Sequence, residues 1–309
     1  MPFSDTFVDD LDVLDYLELL HSTTAVARGL GISQSSCSRR YRAFSQQFDL
    51  GFDRVDGRYG GSRNGDVLSS LRRAAQIRRV RAGQYRFGVG WQLASLFQPD
   101  DASAARCLPL LQMDSWGVAS LLEQRLVDFW LGGLLEFAQL LPQPFNSLRS
   151  KRLALTQTVM CVPICRWTLQ LFAHRNHPLR QAGALTPVQF RRYPSPSLPV
   201  GMAPLLMRQL QDNGLATSPS RLRGYAWGDW HGAAADGHSL SYGGPHDGVK
   251  AAADGIEPLA YPLKIVEVGA LLGHRDVIED GQFETNFKQL SRQLRHSPGA
   301  NQDGLHWLI

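Results

Sequence analysis

The sequence has little that would staple, export or anchor it. Its four cysteines in 309 residues form neither a zinc spacing nor a disulfide framework. Cys161 and Cys165 make a Cys-x-x-x-Cys inside an apolar run, where buried thiols are expected rather than ligands. A basic leader is missing too. The first twenty residues hold six acids and no base, so no secretory signal is expected and a reducing cytoplasm is. The longest apolar run, FWLGGLLEFAQLL at 129–141, is short and broken by Glu136, which argues against a membrane span. Acid is the last absence: none occurs between His21 and Asp49.

Residues 28–81 carry twelve arginines against four acids, inside a chain whose net charge is only +4. A solvated helix face normally mixes both signs. A local block of one sign is the usual electrostatic footprint of nucleic-acid binding.

The signatures of catalysis are incomplete. GVG at 88–90, with Asp114 ending the next strand, imitates a dinucleotide fingerprint, but position 93 is Leu where a third glycine belongs. GHSLS at 237–241 has Ser where a nucleophile elbow needs Gly. His231, His238 and His246 stand among Asp229, Asp236 and Asp247 at spacings of seven and eight, which fit no compact metal site. The Gly-rich stretch around them reads as a flexible loop. Neither a carboxylate pair nor a triad can be assigned, so the expectation is no enzyme, no metal and no cofactor.

What is present begins with helices. Leu11, Leu14, Leu17 and Leu20 recur every three residues and predict an amphipathic helix over 4–21. STTAVARGL at 22–30 predicts a second, capped by Ser22 or Thr23, and Gly31 and Ile32 turn the chain. Ser33 caps a third, whose buried stripe is Cys37, Tyr41, Phe44 and Phe48. The opposite face carries Ser35, Ser38, Arg39, Arg42 and Gln46. Three helices with a tight turn before the last are the helix-turn-helix plan, and LGFDRVDGRYGGS at 50–62 supplies a hairpin, or wing. In 65–82 a narrow stripe of Leu68, Leu71 and Ala75, with five arginines on the other faces, suggests a helix that pairs with its copy. Beyond Gly83, YRFGVG (85–90), CLPLLQM (107–113) and VDFWLGG (127–133) alternate with helical stretches, the pattern of a parallel sheet with covering helices. WTLQLFAHRNHP (167–178) and PSPSLPVGM (194–202) begin a second set, and 282–294 closes as a helix.

These residues resemble the LysR-type transcriptional regulators. The family's N-terminal pattern is met by Ser22, Thr24, Ala27, Leu30, Ile32, Ser33, Gln34 and Ser38, and the Thr-x-x-Gly of its linker helix by Ser62 and Gly65. LLEQRLVDFWLG (121–132) resembles its Leu-Asp-Leu-Ala strand and HRNHPL (174–179) its His-Pro-Leu turn. Ser35, Ser36 and Cys37 depart from the family's usual residues, and the wing offers GFDR at 51–54 in place of Leu-Phe-x-Arg.

The resemblance implies an α/β chain in three parts. They are a winged helix-turn-helix DNA-binding domain over 1–62, a linker and dimerisation helix over 63–83, and a two-lobed α/β (periplasmic-binding-protein-like) effector-binding domain over 84–309. Lobe I would hold about 84–161 plus 267–309, and lobe II about 162–266. DNA contacts are expected from Thr24, Ser33, Gln34, Ser35, Ser38, Arg39, Arg42 and Arg54, with small polar groups at base edges and Arg or Gln at guanine, adenine or phosphate. Strand-end loops should bring Trp91, Gln92, Ser95, Ser115, Trp116, Gly132 and Gly133 to a cleft facing Val200 and Gly201, a setting that suits a small anionic or polar ligand. The implied partners are double-stranded DNA, a small-molecule effector, RNA polymerase and further copies in a homodimer or homotetramer, with no membrane. The rival is a periplasmic-binding-protein-like enzyme or carrier with a vestigial DNA-binding module.

Overall fold

A computed structural model describes residues 5–97, 105–107, 115–198, 201–219 and 230–309. The chain divides into two compact units: Met1–Ala82 with Gln124–Leu126, and Gly83–Glu123 with Val127–Ile309.

The first unit is built from local signals. Helix α1 (Asp5–Leu20) is followed by α2 (Thr23–Leu30), whose cap Ser22 accepts the N–H of Ala25 at 3.2 Å. Gly31 ends α2 at φ 66°, a left-handed conformation that side chains disfavour. Helix α3 (Gln34–Gln47) starts at Ser33, which accepts the N–H of Ser36 at 3.1 Å. Cys37 and Phe44 are buried, and Tyr41 packs edge-on against Tyr59 of the wing. The wing pairs β1 (Gly51–Val55) with β2 (Arg58–Arg63) across Asp56-Gly57, both at positive φ, the two-residue turn whose twist matches the strands.

Helix α4 (Gly65–Arg81) corrects the expected pairing stripe. Leu68 and Ala75 are buried inside the chain, and a Cβ on Gly61 of the wing would stand 3.3 Å from Leu68. Leu71 is half-buried. Two of the five arginines turn inward. Arg72 is 5% exposed and binds Asp15 and Glu18 of α1, each at 2.7 Å, while Arg79 is also buried. Asp15 explains the difference: an acid on the buried side of α1 draws an arginine across, so the stripe packs on its own unit.

The second unit surrounds one mixed sheet whose strands lie in the order Ser241–Gly243, Val159–His174, Ile256–His274, Phe129–Gly133, Tyr85–Val89, Ala105–Cys107. Strands β3 (Tyr85–Val89), β4 (Ala105–Cys107) and β5 (Phe129–Gly133) run parallel, with helix α5 (Ser115–Glu123) between β4 and β5 in the chain. The rest of the sheet is antiparallel, unlike the expected alternation. The short β6 (Leu153–Ala154) joins the 16-residue β7 (Val159–His174), which pairs along most of its length with the 19-residue β11 (Ile256–His274). The expected lobe boundaries at 162 and 267 fall inside these two strands. A separate parallel pair joins β8 (Pro194–Ser197) to β9 (Ala216–Pro219), with helix α7 (Pro204–Asp212) connecting them after the short α6 (Pro187–Phe190). Helix Phe283–Arg295 and β12 (Leu305–Trp307) close the chain.

The described part of the Gly-rich stretch is not a loose loop. β10 (Ser241–Gly243) pairs with β7, and His231, His246 and Asp247 are each at most 2% exposed. A Cβ on Gly243 would lie 2.7 Å from the His231 ring, so glycine here permits close packing instead of flexibility. Among the described residues no helix is long and apolar enough to cross a membrane.

Candidate functional site

On the first unit, α3 presents an outward face. Gln34, Ser35, Arg39 and Arg42 are exposed, as are Thr24 on α2, the cap Ser33 and Arg54 on the wing; Ser38 is half-buried. The Gln34 amide donates to Thr23 at 3.1 Å, which fixes the start of α3 against α2. Arg42 Nε donates to the Tyr41 hydroxyl at 3.3 Å, and its guanidinium lies 5.7 Å from that ring centre. Arg54 stacks similarly over Tyr59 at 5.8 Å. These aromatic rests extend both cations from the surface without neutralising them. Arg40 is different. It points back to Asp10 of α1 in an ion pair.

On the second unit, strand ends meet at a small cavity of about 40 Å³. Gly90, Trp91 and Gln92 line it after β3, Gly133 at the end of β5, and Met202 and Ala203 before α7. The remaining residues of the expected cleft divide. Trp91 is buried and leans on Trp230, with ring centres 5.4 Å apart. Ser95 donates to Asp247 at 2.6 Å and does not line the cavity. Gly132 does not line it either; a Cβ there would meet the Trp130 indole Nε1 at 2.7 Å. Ser115 and Trp116 open α5, Gly201 is exposed, and Val200 lies outside the described residues. Gly88, from the incomplete dinucleotide pattern, is covered by the same indole of Trp130.

Two carboxylates escaped the sequence reading. Glu136, on the 3-10 turn Leu135–Leu140, lines the cavity and accepts the N–H groups of Leu205 and Leu206 at 3.1 and 2.9 Å. Glu267 of β11 is 3% exposed and accepts the N–H groups of Leu134, Leu135 and Val268 at 2.9–3.0 Å. Burial pushes its carboxyl up to about 7 against the pull of those three amides. A usable signal existed for both: each is a lone acid within an apolar run, and a buried acid needs a reason.

The His and Asp residues that fit no metal site in the sequence form a buried network. Asp247 accepts from Ser95 and, at 2.8 Å, from the Gly244 N–H; His231 Nε2 stands 3.8 Å from it. Burial holds the His231 imidazole below its usual range, with Asp247 opposing. His246 Nε2 meets the Gln92 carbonyl at 2.8 Å. The network ties residues 244–247 to the turn that carries Trp91 and Gln92. Among the described residues no three His, Cys, Asp or Glu groups could hold a metal ion.

Together these features define a class: a winged helix-turn-helix unit joined in one chain to an α/β unit with a small cavity at its strand ends. Two solved structures share this fold over nearly the whole chain. Full-length OxyR from Pseudomonas aeruginosa, in a cysteine-to-aspartate variant, has a TM-score of 0.54 and 12% identity, covering 96% of each chain. A probable transcriptional regulator from the same bacterium has a TM-score of 0.52 and 19% identity, covering 93% of this chain and 95% of its own. The sequence matches no protein-family model and no curated protein. The fold class implied by the resemblance, α/β with an N-terminal winged helix-turn-helix, is the fold of this chain.

Proposed function

We propose that the chain is a LysR-type transcriptional regulator that binds double-stranded DNA sequence-specifically and answers to a small molecule held in the α/β unit. The observation that carries this reading is the outward face of α3. It is free of acid, carries Gln34, Ser35, Arg39 and Arg42, and is flanked by a wing bearing Arg54. A helix in the major groove needs small polar groups at base edges and arginines within reach of guanine and phosphate. The shared fold supports it, since one of the two similar structures is described as a probable transcriptional regulator.

In this reading the protein works in the cytoplasm without catalysis of its own, and RNA polymerase reads its effect. Assembly as a dimer or tetramer would use the outward face of α4, where Ser70, Ala74, Ile77 and Arg81 are exposed at spacings of four, three and four. An antiparallel copy would set Asp66 of one helix opposite Arg81 of the other. Ligand binding would bias one arrangement of the assembly over another, and hence its grip on DNA. The test is a gel shift with the DNA upstream of the protein's own gene at two salt concentrations. Binding that weakens steeply with salt is expected, because phosphate contacts release counterions. Absence of binding at low salt would overturn the proposal.

A further inference from the structure

The strand-end cavity is too small for an organic ligand. One water needs about 10–15 Å³ of such space, so 40 Å³ holds a few waters. The chain fills the surroundings itself. Glu136 uses both carboxylate oxygens on N–H groups of α7, and Trp91 lies against Trp230. A larger opening lies elsewhere on the α/β unit. A groove of about 480 Å³ runs between α7, the 3-10 turn Leu135–Leu140, the turn Phe145–Ser147 and residues 263–266 of β11. Ligand sites usually measure about 300–1,000 Å³.

The β11 wall of this groove is irregular. Side chains of a strand alternate between faces, yet Leu263, Lys264, Ile265 and Val266 all line the groove. The register supplies the reason. Pro262 pairs with Gln170 and Val266 with Thr168, so β11 runs four residues where β7 runs two. Lys264 sits in this bulge at φ 56°, in the left-handed region. Among the described residues the other non-glycine residues at positive φ stand in turns or at helix ends, and Lys264 alone stands within a strand. Strain of this kind persists only where its surroundings hold it, and it concentrates at ligand sites.

Bed and rim differ in chemistry. Leu135, Leu263 and Ile265 are buried and Phe145 and Leu205 half-buried, which makes the bed apolar. On α7, Leu205, Gln209 and Asp212 share one face at spacings of four and three, so one helix supplies both bed and rim. The rim carries one cation, Lys264, and one acid, Asp212. Both are exposed, and neither makes an ion pair among the described residues. A ligand of one sign would meet one of these charges as a repulsion, whereas a molecule with both signs meets each as an attraction. An apolar body would remove the bed from water. Resting on the reading of the α/β unit as the part that holds a small molecule, we propose that this groove takes a small zwitterion with an apolar body. Its carboxylate would pair with Lys264 and its ammonium group with Asp212. This replaces the strand-end cleft, and the anionic ligand that strand-end loops alone suggest.

The experiment is thermal unfolding of the full chain at constant ionic strength with two zwitterions. L-leucine carries its charges on one carbon, and 6-aminohexanoate carries them at opposite ends. Sodium 4-methylpentanoate, 3-methylbutylamine hydrochloride and glycine lack the ammonium group, the carboxylate and the apolar body in turn. At least one zwitterion should raise the melting temperature increasingly with concentration, and the three partial molecules should not. Lys264→Gly suits the left-handed backbone, so it should fold and lose the shift. Asp212→Asn, on the exposed rim, should lose it as well, while Gln92→Ala in the strand-end cavity should keep it. No shift with either zwitterion would overturn the proposal, as would an equal shift with any partial molecule. So would a shift that Lys264→Gly retains or that Gln92→Ala abolishes. A lower light-scattering mass for Phe145→Ser would show that a second copy covers the groove, and would overturn it too. The regulator reading fails separately. Lost DNA binding with an intact, Lys264-dependent shift refutes that reading alone, and salt-sensitive DNA binding without the shift refutes only the zwitterion site.

Discussion

Arg72 offers the sharpest test of how the first unit is held. Its guanidinium is 5% exposed and lies 2.7 Å from Asp15, itself 1% exposed, and 2.7 Å from Glu18. Arg72→Met keeps the length and apolar bulk of the stem but leaves two carboxylates facing a thioether. Removing one partner of a buried pair costs about 3–5 kcal/mol, far above the ~0–1 kcal/mol of an exposed pair. At one decade per 1.4 kcal/mol that is roughly a hundredfold to a few thousandfold in the opening equilibrium of α1 against α4. Amide hydrogen exchange reads that equilibrium directly, in peptides covering 10–20 and 65–81 of the full chain. The double variant Arg72→Met with Asp15→Leu should recover most of the loss, because the pair's mutual attraction mainly offsets its own desolvation. Exchange in Arg72→Met accelerated less than about fivefold would refute the reasoning, since the bridge would then behave like a surface pair.

Three further outcomes follow from the same geometry. Arg39→Ala or Arg42→Ala should each weaken operator binding by about 1–3 kcal/mol with circular dichroism unchanged, and equal gel-shift midpoints for both variants and the parent would contradict the placement of α3. Glu267 has its carboxyl raised to about 7 from an ordinary 4.5, so the penalty for ionising it builds between those values and is complete above pH 7. Glu267→Gln should therefore gain up to about 3 kcal/mol in urea unfolding at pH 8 and far less at pH 5; a loss at pH 8 would reverse the sign argued here. Ile77→Asp on the outward face of α4 should lower the light-scattering mass, while an unchanged mass would remove that face from the assembly.

The helical first unit was legible because its signals are local. Ser22 and Ser33 as caps, Gly31 in the left-handed region and Asp56-Gly57 at the wing each act within a few residues. The long β7–β11 ribbon was not, for two physical reasons. Long stretches of both strands are buried on both faces, which erases the alternation that marks a strand, and its register shifts between Pro258, Pro262 and Val266. The stretch 230–248 misled for another reason. Glycine and alanine are as frequent where side chains must approach closely as where chains bend, and composition does not distinguish the two. The same ambiguity covers the cavity. Trp91, Gln92 and Gly133 were within reach as residues after strands, but the acids opposite them come from 136 and 267, and only the fold brings those numbers together.

Charge segregation along the sequence receives its explanation from the direction each side chain takes. The acids at the start of the chain and the arginines of 28–81 read as separate blocks, one of them aimed at a polyanion. In the structure Asp10 takes Arg40, while Asp15 and Glu18 take Arg72. Successive residues on a helix turn by about 100°, so Arg40 can face α1 only if Arg39 and Arg42 face away from it. The acids of α1 thus compensate the inner side of the basic block and leave the outer side uncompensated. A count of charges over the first unit understates the field at the face of α3, since the neutralised pairs are those least exposed to a partner. Reversing the sign of Asp10 should therefore disturb the seating of α3 before it alters the charge that DNA would meet. An Asp10→Lys variant should accordingly lose thermal stability and DNA affinity together, despite its higher net charge. Tighter DNA binding in that variant would show that net charge, and not the orientation of α3, sets the affinity.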